Sequence, residues 1–477
     1  MSKNFLFNFT KKGNQARRLA TKTEVFKPFN AIPGPSNANS IGDPKNLHNT
    51  IHKMHTTYGP IFRIKLGEVN AIFVSSSEHM REIFRYEGKY PKHPLPSAWL
   101  YFNKKFNCKR GLFFMDDDEW LRYRKILNPM LLQNFNRYRH AVEMACDKLI
   151  DDENNRVVAN RRDKSLRDTE FVEWRDLEAR LYRWSIDVVI NVLLGTSNDN
   201  IIPQTLIKEF GEVVHKIFEY SVPLQAMSPL DFPESVEWEK FAKVTSRTLE
   251  LGNQIIDKAI ENCPLNNEGL LNQFKEQGIA KEDMRRLFTD LIVAAGDTTS
   301  FATQWALYLV AKNEETQEKL RQSLSIDDFE KESELIKGAI RETLRLYPPA
   351  TFIGRITAES GVIGNYEIPK GTLALLSLYT SGRNEKHFSQ PFDFIPERWL
   401  RDPSNFHKAD PQASLPYAIG ARSCIGRKIA NYQMHTLLTK ILINFDMKLL
   451  NKKPIESVMK MVITPKETIK IGLKMRK

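Results

Sequence analysis

The chain has 477 residues, of which 41% are apolar, so it can bury a large core. Its four cysteines (Cys108, Cys146, Cys263 and Cys424) are scattered without CxxC spacing, which argues against a disulfide scaffold or a zinc site and for a reducing compartment. The formal charge is +12, but residues 1–30 hold seven basic residues and one acid and so carry six of those charges. The remainder shows no basic stripe interleaved with aromatics, and nucleic acid is not an expected partner. P-loop, GxGxxG and HExxH patterns are all missing.

Residues 1–30 are basic, hydroxyl-bearing and poor in acids, with Phe5, Leu6, Phe7 and Phe9 but no apolar run long enough for a secretory signal or a spanning helix. They read as a mitochondrial transit peptide ahead of one domain over 31–477. Ala31-Ile-Pro-Gly-Pro35 is a stiff, extended entry to that domain. Alternation over Ile61–Gly67 and Ala71–Val74 predicts a pair of strands. Residues 91–115, rich in Pro, Phe, Asn and Gly, read as a long loop, with Leu95, Trp99, Leu112 and Phe113 as candidate lining residues. In the helical pattern that follows, Trp120 and Arg124 are four apart and share a face, within reach of one anion.

Residues 140–290 are mostly helical, with a buried helix over Ile186–Leu194. Pro223, Pro229 and Pro233 break the pattern across 219–236, among Val222, Leu224, Met227 and Leu230. A long helix is predicted over 282–311. Its centre, Ala294-Ala-Gly-Asp-Thr-Thr299, sets an acid and two hydroxyls among large apolar residues. Burying such groups unsatisfied costs about 1–3 kcal/mol each, which implies a purpose. Glu342 and Arg345 stand three apart on a helix that Pro348 and Pro349 end, and Glu397-Arg398 supplies a second acid–base pair.

The most informative stretch is Leu415–Ala430. Cys424 lies between Gly420 and Gly426, with Arg422 two residues before it and a helical pattern directly after it. The glycines allow a tight turn, and the helix N-terminus favours thiolate over thiol. Such a sulfur suits an iron, and Arg422 can meet an anionic group of whatever carries that iron.

This stretch resembles the haem-binding loop of the cytochromes P450, Phe-x-x-Gly-x-Arg-x-Cys-x-Gly, with Tyr417 in place of Phe. Ala295-Gly296-Asp297-Thr298-Thr299 resembles the family's segment over the distal face of the haem, with Ala295 for the usual Gly. The resemblance implies a mainly α fold with a small β region and haem b (iron protoporphyrin IX) held by Cys424. It places Arg422, Trp120, Arg124 and Arg355 around the propionates. Thr298 would hydrogen-bond dioxygen and its waters, and Asp297 would connect them to a proton supply. Glu342, Arg345 and Arg398 would form a structural network, and Thr351, Phe352 and Ile353 would border the substrate. Residues 219–236 fall where the family has an apolar lid, which suits peripheral membrane association.

Basic residues at Lys337, Arg341, Arg427 and Lys428 resemble the mitochondrial branch, which uses an adrenodoxin-like ferredoxin, and imply a matrix-side location at the inner membrane. Within that branch the segments around Asp297 and Cys424 resemble the insect ecdysteroid-making enzymes, the carbon-2 hydroxylases above all. The expected activity is therefore monooxygenation of a sterol-type substrate. Carbon 22 or 20 as the position, and a P450-fold isomerase or lyase, are the alternatives.

Overall fold

The computed structural model describes residues 26–35, 42–66, 69–162, 171–225, 227–264, 267–324, 332–401, 407 and 409–476. Residues 1–25 of the transit-peptide reading, and Gly67 of the first strand, lie outside them. The helices in chain order are α1 Leu47–Tyr58, α2 Ser77–Arg85, α3 Ser97–Lys105, α4 Asp117–Asn128, α5 Arg139–Arg162, α6 Leu177–Leu194 and α7 Gln204–Leu224. They continue as α8 Val236–Asn262, α9 Leu270–Glu276, α10 Lys281–Lys312, α11 Glu314–Gln322, α12 Glu334–Leu346, α13 Leu378–Ser381 and α14 Arg427–Asn444. The expected mainly α architecture is what forms.

The strands are β1 Ile61–Leu66, β2 Val69–Val74, β3 Val172–Glu173, β4 Phe352–Ile356, β5 Gly361–Ile363, β6 Tyr366–Ile368 and β7 Leu373–Ser377, then β8 Phe445–Leu449, β9 Ser457–Lys460, β10 Val462–Pro465 and β11 Ile471–Met475. One sheet has the order β1-β2-β7-β4, another β3-β11-β8, and β5-β6 and β9-β10 are hairpins. The predicted pairing of the first two strands is antiparallel, with Ile61 opposite Val74. β2 then pairs in parallel with β7, which carries β4 and Arg355 on its far side.

Most of the apolar mass lies in one continuous core between the helices, and two smaller clusters flank the four-stranded sheet. α10 threads that large core. Glu282 and Asp283 in its first turn and Lys312 in its last complement the helix dipole, and the residues between are mostly buried. α6 lies along it, buried almost all round from Ser185 to Leu194 as expected. Ser333 caps α12 by accepting the N–H of Ile336.

Two expectations need correction. The loop over 91–115 contains α3, because Ala98, Trp99 and Phe102 form a buried face at helical spacing. The prolines and glycine on either side obscured a helix of 9 residues. The break over 219–236 begins later than expected, since α7 runs through Pro223 to Leu224. A proline this close to the end removes one hydrogen bond without interrupting a long helix.

Candidate active site

The loop before α14 turns sharply because Ala418 (φ 55°) and Gly420 (φ 80°) both adopt left-handed backbone. At Gly420 a side chain is also excluded by space: a Cβ would stand 2.1 Å from Glu87 Oε1. The Cys424 N–H donates to the Tyr417 carbonyl at 2.8 Å, which closes the turn. Cys424 is accessible to solvent, yet dense protein lies around it. Burial pushes its thiol pKa up, while the N–H groups of Gly426 and Arg427 and the charges of Arg124 and Arg427 pull it down. The net shift is upward. The helix N-terminus alone does not secure the expected thiolate, which needs a bound cation.

Around this sulfur the structure gathers cations. Arg422 donates to the Met115 carbonyl at 2.5 Å and to Asp116 at 2.7 Å, with its guanidinium 4.8 Å from the centre of the Trp120 ring. Arg124 is buried and donates to the Ser423 carbonyl at 2.5 Å. Burial first, with Arg427 and Arg422 adding to it, lowers its pKa to about 10. Trp120 and Arg124 thus share a helix face as expected, but here they serve different partners. Arg355 Nε donates to Glu87 at 2.8 Å, and the other Glu87 oxygen accepts the Ala421 N–H at 3.2 Å. Glu87 therefore ties β4 to the cysteine loop.

His93 joins this cluster. Its Nδ1 lies 3.0 Å from Arg422 Nη1. A guanidinium can only donate, so Nδ1 accepts and the proton sits on Nε2. Burial, then Arg422 and Arg355, lower the His93 pKa to about 3 and keep the ring neutral. His93 Nε2, Arg422 Nε and Arg124 Nε are all buried and without partners. Three unspent N–H donors beside an accessible thiol match a group that brings both a metal and carboxylates.

The loop over residues 110–116 links this cluster to α10. Arg110 Nη2 and the Gly111 N–H each reach Asp290 on α10 at 2.5 Å, and Met115 and Asp116 hold Arg422. α10 also packs against α14. Ala294 is exposed in the middle of this otherwise buried helix, and Thr298, one turn on, is half-buried on the same face. The Thr298 hydroxyl donates to the Ala294 carbonyl at 2.8 Å. Asp297 turns the other way, toward α6 and α7. Its carboxylate Oδ1 lies 2.8 Å from His215 Nδ1, while Oδ2 is buried and unpartnered.

Glu342 forms the centre of the expected network. It accepts from Arg345 at 2.7 and 2.9 Å, from Arg398 at 2.8 Å and from Trp399 Nε1 at 2.9 Å. Arg345 also grips the carbonyls of Gly382 and Pro391 at 2.5 and 2.6 Å. Of the carbonyls held by these arginines among the described residues, those of Gly382, Ser389, Gln390, Pro391 and Asp393 belong to the chain before the cysteine loop.

Other expected residues divide. Trp99 and Leu112 are core residues, with Trp99 stacked on Phe114 at 5.6 Å, whereas Phe113 is 53% exposed. Phe352 packs edge-on against Phe73, and Thr351 is buried beside Met459. Lys337 does not stand as a free positive charge, because it pairs with Glu332 at 3.1 Å and Glu334 at 2.8 Å. Arg341 lies over the Trp399 ring, Arg427 reaches Ser423 Oγ at 3.2 Å, and Lys428 is exposed. Sequence reasoning missed Glu87, His93 and His215. Only His215 carries a signal in the sequence, as a lone histidine among Val213, Val214, Ile217 and Phe218.

The cytochrome P450 family model matches residues 27–473. The chain belongs to the cytochrome P450 family. This P450 is 38% identical to "Cytochrome P450 315a1, mitochondrial" of Drosophila melanogaster, over 92% of this chain and 85% of that protein. It is 28% identical to "Cholesterol side-chain cleavage enzyme, mitochondrial" of Oncorhynchus mykiss, over 90% of this chain and 85% of the relative. With "Cytochrome P450 10" of Lymnaea stagnalis the identity is 27%, over 95% and 87%. This P450 is a haem-binding monooxygenase, an oxidoreductase, and the accessible thiol and three free donors fit the iron and propionates of a haem.

Proposed function

We propose that this P450 hydroxylates a steroid in mitochondria, at carbon 2 of an ecdysteroid precursor (2-deoxyecdysone to ecdysone). The observation that carries this reading is the 38% identity, spread over 92% of the chain, to a relative named as mitochondrial. The mitochondrial cholesterol side-chain cleavage enzymes among the other relatives support a sterol-type substrate. So does the resemblance of the segments around Asp297 and Cys424 to the ecdysteroid hydroxylases.

The bound haem supplies activation of dioxygen by two electrons from a reduced ferredoxin. Cys424 is the residue to hold its iron, and Arg124, Arg422 and His93 to meet its propionates, with Trp120 beneath Arg422. Arg355 contributes its charge, while Glu87 shares that charge and fixes its position. Thr298 lies on the open face of α10, where its hydroxyl can leave the Ala294 carbonyl and hand a proton to the oxygen site. Asp297 holds the proton that replaces it. Arg341, Arg427 and Lys428 form the basic face for an adrenodoxin-like ferredoxin, with Lys337 already paired. Leu230, 88% exposed between α7 and α8, and Val236, 58% exposed at the start of α8, suit peripheral contact with a membrane on the matrix side of the inner membrane. No helix among the described residues is long and apolar enough to cross one.

The test combines purified protein, a mitochondrial ferredoxin and its reductase with 2-deoxyecdysone, and reads products by mass spectrometry. Hydroxylation at carbon 2 supports the assignment. A product oxygenated at carbon 22 or 20 of a related precursor, with 2-deoxyecdysone left intact, would move it to another position. Turnover of a peroxide without any electron donor would favour the isomerase or lyase reading, against which the Asp297 and Thr298 pair argues.

A further inference from the structure

A buried acid that delivers protons must be refilled from solvent. Asp297 is 1% exposed. Its partner is His215 of α7, 29% exposed, with Nδ1 at 2.8 Å from Oδ1. On the far side of the ring, His215 Nε2 lies 3.8 Å from Glu178 Oε1 of α6, and that side chain is 45% exposed. Glu178 and His215 both line a cleft of about 830 Å³ between α6 and α7, together with Asp176, Lys208 and Glu212. Exposure thus rises in steps from the acid to the surface, with a titratable group at each step.

We propose that His215 is the proton relay of this P450, passing protons from the cleft at Glu178 inward to Asp297. This rests on the reading of Asp297 and Thr298 as the proton-delivering pair. In each passage, Nε2 takes one proton from the Glu178 side and Nδ1–H gives its own to Asp297 Oδ1. No electrons move. The imidazole ends as its other neutral tautomer, and exchange with water of the cleft, which takes the Nε2 proton and returns one to Nδ1, restores the first. The buried, unpartnered Oδ2 is the oxygen left to hand the proton on toward Thr298.

The surroundings suit this task. Tyr182 of α6 lies edge-on to His215 at 5.6 Å, and the tilted ring of Phe301 of α10 lies 6.0 Å from it. These rings confine the imidazole. Tyr182 comes this close to α10 because residue 296 is glycine, where a Cβ would meet its hydroxyl at 2.7 Å. The charges facing His215 are Asp297, Glu178 and, from β9, Lys460, with Glu212 one turn away on α7. Burial opposes the charged ring, but the bond to Asp297 and the two carboxylates outweigh it, so its pKa lies above the ordinary value. Burial likewise raises Asp297 against the pull of His215. The pair therefore keeps a proton to give, and loses it as pH rises through these raised values.

The test compares the holoenzyme with His215→Gln, which can still hydrogen-bond Asp297 but cannot relay a proton, and with Glu178→Gln and Asp297→Asn. With ferredoxin as donor, His215→Gln should turn over roughly tenfold or more slowly, a loss typical of removed acid–base help, and release more hydrogen peroxide per electron pair. The alkaline decline of the wild type should move to higher pH, because the variant lacks the group that pulls Asp297 down. Hydrogen peroxide used instead of dioxygen and ferredoxin brings its own protons and electrons, so that route should change by less than about twofold. As a readout apart from turnover, the nitrogen-15 histidine resonance missing in His215→Gln should titrate lower in Asp297→Asn. Equal loss in both routes would mark a structural residue and overturn the relay. So would unchanged coupling in both His215→Gln and Glu178→Gln while Asp297→Asn is impaired. An unimpaired Asp297→Asn would overturn the relay together with the reading of the pair.

Discussion

At the residue scale, the cysteine loop depends on the missing Cβ of Gly420 and on a group that the motif does not name, the Glu87 carboxylate in its place. Alanine at 420 is excluded twice, by φ 80° and by a contact of 2.1 Å. Gly420→Ala should displace Glu87, release Arg355 and loosen the haem. The expected result is faster haem transfer to apomyoglobin, and an unchanged transfer rate would contradict the role given to Glu87. At Glu342, replacement by Gln leaves Arg345 and Arg398 buried without their shared carboxylate. Removing one partner of a buried ion pair costs about 3–5 kcal/mol. Glu342→Gln should therefore fail to accumulate as folded protein, and folded protein with wild-type thermal stability would show that the network is dispensable.

At the element scale, α10 and α14 were legible in the sequence because long apolar periodicity and a fixed motif agree with each other. α3 was not. Its single buried face of Ala98, Trp99 and Phe102 is bounded by prolines and polar loop residues, and what makes it a helix is packing against α7 and α8. The site divides in the same way. Arg422, Trp120, Arg124 and Arg355 were legible because each follows from a local pattern or the resemblance. Glu87 and His215 meet their partners 334 and 82 residues away, and no local pattern encodes such pairs. The stretch from the end of α7 to the first residue of α8 allows a prediction at this scale. With Leu230 and Val236 exposed, Leu230→Asp with Val236→Asp should cut binding to cardiolipin-containing vesicles several-fold in sedimentation. Equal binding would remove this face from membrane contact.

At the scale of the whole molecule, the sheet side carries a sensitivity to acid. Burial lowers both His48 and His55 to about 4, Arg383 adding to it at His48. His55 is held at 2.9 Å by both Ser377 Oγ and the Gly59 carbonyl. A histidine with a lowered native pKa binds its proton only on unfolding. Between its ordinary value near 6.5 and about 4, stability therefore falls as pH falls, by roughly 1.4 kcal/mol per proton per pH unit. Denaturant midpoints should drop from pH 7 to pH 5, and His55→Gln should flatten that slope by about one proton. An unchanged slope would place the sensitivity elsewhere.

The central claim is that Cys424 is the thiolate ligand of a haem whose propionates meet Arg124, Arg422 and His93. The most direct measurement is the absorption spectrum of the reduced protein with carbon monoxide, taken for the wild type and for Cys424→Ser. The account predicts the red-shifted band of thiolate-ligated haem in the wild type and its loss in the variant. The same band in Cys424→Ser would contradict it.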